Sequence, residues 1–225
     1  MFEAVILAGG QGTRLKSVTG ELPKPMVDVN GVPFLYRLMK RLEEQGCQRI
    51  VLSLCYRAGY IIACIHKDQP VDCAVDFAVE EQPLDTGGAI KYAAQYITTE
   101  KFVVLNGDTY SDVDYNELAE HAVTAGLVIC GVHVEDVSRY GTLDIAENNT
   151  IKSMNEKGAT GSGIINSGTY VITTNEITGF EKDIFSFERD YVKNYTGNFT
   201  AFISKGYFID IGIPADYHKI CQQIK

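Results

Sequence analysis

The sequence predicts an α/β protein built on a doubly wound, mainly parallel sheet with helices on both faces. Three observations carry that expectation. "FEAVILA", residues 2 to 8, is nearly continuous in apolar and small residues, the pattern of a strand buried on both faces, and it runs straight into the glycine turn "GGQGTR". Strand and helix candidates then alternate as far as about residue 135, the order expected when parallel strands are joined by crossover helices. At 225 residues the chain is long enough to bury such a sheet within a single domain.

After the glycine turn, "VPFLYRLMKRLEEQG" places Phe34, Leu35, Leu38, Met39 and Leu42 on one helical face, with Pro33 near its start and Gly46 as a C-terminal stop. "RIVLSL" reads as the second strand, "GYIIACIHK" as a short helix, "AVDFAVE" as a third strand and "GGAIKYAAQYI" as an alanine-containing helix. "KFVVLNGDTY" is a buried strand with a polar end, followed by the helix "DYNELAEHAVTAG" and the strand "LVICGVHV". A ligand crevice is expected at the carboxyl ends of these strands.

Beyond about residue 135 the rhythm changes. "GTLDIAENNTIKSMNEK" reads as two extended pieces around the turn-forming "ENNT", "GIINSGTYVI" as a strand, and "KDIFSFERDYVKNY" as helical. "FTAFIS" and "YFIDIG" return to strand character before the helix "PADYHKICQQI". No linker or fixed-period repeat separates these pieces, so the expectation is one domain over 1–225, with 1–135 mainly binding nucleotide and 136–225 mainly binding sugar phosphate and completing a metal site.

A formal charge of -9 argues against nucleic acid or an anionic membrane as the general partner, while leaving room for a local cationic site. The six cysteines form no C-x-x-C pair and the histidines are scattered, which argues against a disulfide framework or a structural zinc. With no secretion signal and no apolar run long enough to span a bilayer, the expected location is the cytoplasm.

The chemistry concentrates in "GGQGTRLKSVTGELPKPM", residues 9 to 26. Gly9, Gly10 and Gly12 let main-chain amides approach a phosphate where side chains would clash, and Arg14 supplies charge-assisted hydrogen bonds. Lys24 adds a compact charge, with Pro23 and Pro25 restricting the backbone that presents it. A mobile turn followed by a proline-rich surface loop is the plain structural alternative. The spacing matches neither G-x-x-x-x-G-K-[ST] nor G-x-G-x-x-G, so neither of those phosphate loops accounts for it. Asp108, at the end of "VVLNG", and Asp210, within "YFIDIGI", are hard oxygen donors that the fold can bring together for Mg²⁺, although either can also cap a helix or end a strand.

Taken in order, "LAGGQGTRL", "PKPM", "EEQPLDTGGA", "LNGDTY", "NEKG", "INSGTYV" and "YFIDIGIP" resemble the sugar-1-phosphate nucleotidyltransferases, and they span nearly the whole chain. Within that family, "PLDTGGAI", "FSFERD" and "YFIDIGIPADY" are most similar to the D-glycero-D-manno-heptose 1-phosphate guanylyltransferases. One departure stands out: their usual pattern is "PLGTGG", and this chain carries Asp85 in place of that glycine.

The resemblance implies transfer of GMP from GTP to D-glycero-α-D-manno-heptose 1-phosphate with release of pyrophosphate, Mg²⁺ as cofactor, and a role in nucleotide-sugar supply for a capsule or surface polysaccharide. Mannose 1-phosphate is the next acceptor; cytidylyl transfer to a polyol phosphate and a noncatalytic nucleotide- or sugar-binding regulator are the other readings. A homodimer is left open.

Carried onto this chain, the resemblance assigns Arg14, Lys24, Asp108 and Asp210 to catalysis, the two aspartates also to the metal. Leu7, Gly9, Gly10, Gln11, Gly12, Thr13, Arg14, Lys24, Glu80, Thr86, Gly87, Gly88 and Asp108 fall on the nucleotide side, Gln11 and Glu80 towards the base. Glu156, Lys157, Asn166 and Gly168 fall on the sugar-phosphate side. Simple exposure of Gln11, a Thr86 helix cap, a solvated Glu156–Lys157 turn and an Asn166 sheet turn are the structural alternatives.

Overall fold

The computed structural model describes residues 1–224. In chain order the strands and helices are β1 (Phe2–Leu7), α1 (Lys16–Thr19), β2 (Asp28–Val29), β3 (Val32–Pro33), α2 (Phe34–Glu44), β4 (Cys47–Leu54), α3 (Ala58–Asp68), β5 (Ala74–Val79), α4 (Asp85–Ala93), β6 (Lys101–Asn106), β7 (Thr109–Ser111) and α5 (Tyr115–His121). There follow β8 (Leu127–Val134), β9 (Thr142–Ile145), β10 (Ile151–Asn155), β11 (Gly163–Thr173), α6 (Thr174–Thr178), β12 (Phe199–Ser204), β13 (Phe208–Asp210) and α7 (Pro214–Gln223).

One nine-stranded sheet runs β10-β9-β11-β6-β1-β4-β5, with β8 pairing both β11 and β12. Pairings β1–β4, β1–β6 and β4–β5 are parallel. The chain leaves β1 towards β4 and β5, then returns to place β6 on the other side of β1. That reversal opens a crevice at the carboxyl ends of β1 and β6, where the glycine loop and Asn106 sit.

Alternation along buried strands builds two cores. Ile6 and Leu52 face one of them, with Leu35, Leu38 and Met39 of α2, Ile61 of α3, Leu118 of α5 and Ile220 of α7. Val5, Val51 and Val104 face the other, with Ile90 and Ala93 of α4 and the aromatic group Tyr170, Phe185, Phe187 and Tyr191. Both sheet faces are therefore covered, as the apolar runs predict.

Of two later segments, one takes a direction that its reading as a strand left open and the other departs from its reading. β11 is antiparallel to both β6 and β8, so it interrupts the parallel series; strand direction depends on distant pairing that local pattern does not encode. The expected helix in "KDIFSFERDYVKNY" shrinks to a π turn at Phe187–Tyr191 and a 3-10 turn at Val192–Asn194. Its first part is irregular, with a bend at Asp183–Ile184, and is tied to α4 where the Phe185 carbonyl accepts the Gly87 and Gly88 N–H groups at 2.9 and 3.3 Å. Among the described residues no helix is long and apolar enough to cross a membrane.

Candidate active site

Two cavities meet over the carboxyl ends of the parallel strands. The first, about 360 Å³, is lined by Leu7, Gly9, Gly10, Lys24, Glu80, Thr86 and Asp108 among the residues singled out in the sequence. The second, about 660 Å³, is lined by Arg14, Asp108, Glu156, Lys157, Asn166, Gly168 and Asp210. Asn106 and Asp108 belong to both walls and form the seam.

Backbone geometry explains several of these positions. Gly12 is left-handed, with φ 62°, and a Cβ there would lie 2.6 Å from Lys24 Cβ, so the loop closes directly over the lysine stem. Gly10 lines the first cavity and has open space where a side chain would project. In β11, the register shift between Asn166 and Tyr170 marks a bulge, and Gly168 within it has φ 74°. The bulge turns Asn166 into the second cavity, and a methyl at Gly168 would collide with the Asn106 side chain at the seam.

The charged centre is compact. Buried Lys24 places Nζ 2.6 Å from Asp108 Oδ2. β13 pairs antiparallel with β7, setting Asp210 opposite Thr109, and the Ile211 N–H donates to the Asp108 carbonyl at 2.9 Å. That pairing brings two carboxylates together from opposite ends of the sequence. Burial, followed by the neighbouring Asp108 carboxylate, raises the Asp210 pKa from its ordinary value; Lys24, the Gly212 N–H and Arg139 pull the other way. Two crowded carboxylates on oxygen-rich walls suit a divalent cation. Among the described residues no group of three or more His, Cys, Asp or Glu side chains is placed to hold a metal ion, so remaining ligands would come from phosphates and water, as is usual for Mg²⁺.

At the far end of the first cavity, Glu80 Oε1 accepts the Ser53 hydroxyl at 3.0 Å and Oε2 accepts the Leu84 N–H at 3.0 Å. Its carboxylate is thereby held fixed in the wall, with lone pairs to spare for a base.

The remaining sequence candidates are placed as follows. Arg14 stands on the wall of the second cavity rather than the first. Gln11, Gly12 and Thr13 line neither cavity. Gly87 and Gly88 lie behind the first cavity, where side chains would strike the Phe185 ring and the Asp183 carbonyl; their shortness serves close packing. Thr86 does not cap α4: its hydroxyl donates to Glu188 and accepts the Phe187 N–H. The sequence reading missed Asn106, Ser53, Glu188 and Arg189. Asn106 stood beside Asp108 in "LNGDTY", and the acid-base pair of "FSFERD" was visible without a partner to give it a role.

Known proteins resemble this chain over nearly its full length. D-glycero-α-D-manno-heptose 1-phosphate guanylyltransferase of Campylobacter jejuni is 37% identical over 218 residues, covering 96% of this chain and 97% of that protein. The protein of the same name from Aneurinibacillus thermoaerophilus is 37% identical over 229 residues, covering 99% and 98%. The crystal structure of HddC from Yersinia pseudotuberculosis superposes with a TM-score of 0.94 at 56% identity over 100% of both chains, and its complex with GMP-PN superposes at 0.93. Since the nucleotidyl transferase family model also matches residues 3–225, the paired cavities and their shared acidic seam belong to a chain that is a member of that family.

Proposed function

We propose that this chain transfers GMP from GTP to D-glycero-α-D-manno-heptose 1-phosphate, releasing pyrophosphate. The observation that carries the reading is the seam: a cavity with a glycine-loop mouth and a cavity with Glu156, Lys157 and Asn166 meet at Lys24, Asp108 and Asp210. The guanylyltransferase relatives and the GMP-PN complex of HddC support guanine as the base, and the relatives support manno-heptose as the sugar.

In this reading GTP occupies the first cavity. The Glu80 carboxylate takes the N1–H and 2-amino donors of guanine, and the Gly10 amide faces the phosphates. The sugar phosphate occupies the second cavity, with Glu156 and Asn166 on its hydroxyls and Lys157 and Arg14 on its phosphate. An anionic phosphate oxygen then attacks the nucleotide α-phosphorus in line, the new P–O bond forming as the bond to pyrophosphate breaks. Since that nucleophile is already ionised, no general base or covalent intermediate is needed; alignment and charge neutralisation supply the rate.

Lys24, released from Asp108 towards phosphate, balances the charge that spreads around phosphorus. Asp108 and Asp210 would hold the divalent ion, Mg²⁺ in this proposal, which neutralises and orients the phosphates when bound. Residues 1–135 then serve mainly the nucleotide, and 136–225 mainly the sugar phosphate and the second metal ligand. A cytoplasmic location accompanies the reading.

The test is a product-resolved matrix of nucleoside triphosphates against sugar 1-phosphates with Mg²⁺. GDP-heptose should form with the highest kcat/KM. GDP-mannose in preference would move the acceptor to mannose 1-phosphate, comparable use of CTP with a polyol phosphate would move the reaction to cytidylyl transfer, and binding without pyrophosphate release would make the chain a regulator.

A further inference from the structure

A hydrogen-bonded chain runs between the two cavities, and its central members, Tyr170 and Glu188, have no part in the substrate roles given above. Glu188, in the π turn, lines the second cavity. Its Oε1 accepts the Tyr170 hydroxyl at 2.9 Å, and its Oε2 accepts the Thr86 hydroxyl at 3.2 Å. Thr86 lines the first cavity. On the other side, the Tyr170 oxygen accepts Asn166 Nδ2 at 2.9 Å, and Asn166 Oδ1 accepts the Gly168 N–H at 2.9 Å.

The directions of these bonds are fixed. Burial, followed by the Glu188 carboxylate, raises the Tyr170 pKa well above its ordinary value, so the phenol keeps its proton and donates. Thr86 Oγ1 accepts the Phe187 N–H at 2.9 Å and gives its single proton to Glu188. Two further ties bind the same segments: the Phe185 carbonyl accepts the Gly87 and Gly88 N–H groups, and Arg189 Nη2 pairs with Asp85 Oδ2 at 3.1 Å. The start of α4 and residues 185–189 are thus tied together by hydrogen bonds and an ion pair.

We propose that Glu188 is a positioning residue that couples the two substrate sites, so that sugar phosphate in the second cavity tightens nucleotide binding in the first. The inference rests on the two-substrate reading given above. A carboxylate that already accepts from Tyr170 and Thr86 has lone pairs left for a sugar hydroxyl. A sugar that bonds Glu188 or Asn166 restrains the same carboxylate that orients Thr86, so the second ligand meets a wall already ordered. By linkage the nucleotide must tighten sugar-phosphate binding by the same factor.

The experiment is calorimetric titration of the α,β-methylene analogue of GTP with Mg²⁺, with and without heptose 1-phosphate, on the full chain and on Glu188→Gln and Tyr170→Phe. Glutamine is isosteric but offers one acceptor oxygen, so one of the two hydroxyl donors loses its partner whichever way the amide turns. Tyr170→Phe removes one arm and leaves Glu188 bonded to Thr86.

In the unaltered chain the sugar phosphate is expected to tighten the analogue by about fivefold or more. In both variants that factor should fall below about twofold, while the binary nucleotide Kd stays within about threefold of its original value. Thr86→Ser keeps the hydroxyl and should keep the coupling. Undiminished coupling in both variants overturns the proposal and leaves the enzymatic reading standing. Loss of binary and ternary binding by equal factors assigns Glu188 a purely structural role and also overturns it. An unaltered chain that binds neither ligand and yields no product overturns the two-substrate reading, and the coupling with it.

Discussion

The Lys24 side chain is 9% exposed, so its stem fills space under Gly12 while Nζ holds Asp108. An alanine there would remove packing and charge together, and the effects could not be separated. Lys24→Met keeps the stem and deletes the charge. It is expected to lower kcat by about 10²- to 10³-fold, the usual cost of losing one electrostatic contact to a transition state, with a smaller loss of melting temperature than Lys24→Ala. A matching collapse of thermal stability would assign the lysine to structure.

Gly168 gives a complementary case at the same seam: alanine there must adopt φ 74° and displace Asn106. Gly168→Ala should raise KM for the sugar phosphate more than KM for the nucleotide, and should cost roughly 1–3 kcal/mol of stability, measured by urea unfolding. Equal effects on both KM values would show that Asn106, which lines both cavities, serves the nucleotide as much as the acceptor.

The elements differ in how openly the sequence declares them. β1, β4 and α2 were legible because burial on both faces, or on one stripe, leaves a local record in Val5, Ile6, Val51, Leu52 and Leu38. The direction of β11 and the π turn left no such record, since each is fixed by contacts with segments far away in the chain.

α4 shows the same limit at its first residue. Asp85 has φ 58°, the left-handed conformation that glycine takes without strain, and its carboxylate accepts the Thr86 N–H at 2.7 Å and pairs with Arg189. The sequence flagged the departure from glycine; its conformational meaning needed the backbone. Asp85→Ala should destabilise the fold by about 1 kcal/mol or more relative to Asp85→Gly, because alanine keeps the strain and loses the local hydrogen bond. Thermal melts of the two variants check the order.

Glu3, buried in β1, accepts the Thr98 N–H at 2.6 Å and hydroxyl at 2.7 Å and pairs with Arg49 at 3.3 Å. Burial alone would raise its pKa, but the donors from Thr98 and Thr99 together with Arg49 leave it lowered from its ordinary value. The sign follows from linkage: the unfolded chain takes up the proton first, so the stabilisation is present above the unfolded pKa and is lost as pH falls through the folded one. Glu3→Gln should therefore destabilise the neutral protein and flatten the acid limb of its stability curve. An unchanged acid limb would remove Glu3 from the account.

Over the whole molecule, the crevice at β1 and β6 follows from strand order, and strand order follows from where α2, α3 and α4 can cross without leaving either sheet face bare. This is why the glycine loop, Glu80 and Asp108 could be grouped from their positions at strand ends, while the Thr86–Glu188 contact could not: it depends on how the later segment packs against α4. The same architecture brings Asp210 to Asp108 through the β13–β7 pair. Without a divalent ion, their mutual repulsion and the burial of Asp210 work against the fold. Asp210→Asn removes one charge and keeps the side-chain shape. In chelator at neutral pH the variant is expected to melt at or above the temperature of the unaltered chain. On adding Mg²⁺ the unaltered chain should gain about 2.7 kcal/mol at a hundredfold excess over Kd, by mass action, whereas the variant should gain much less. Its turnover should fall by about 10²-fold or more, since the ion's contribution to phosphate charge stabilisation is lost with its ligand. A variant with the full Mg²⁺-dependent shift and near-normal turnover would remove Asp210 from the metal site and leave the divalent ion to Asp108 and the phosphates alone.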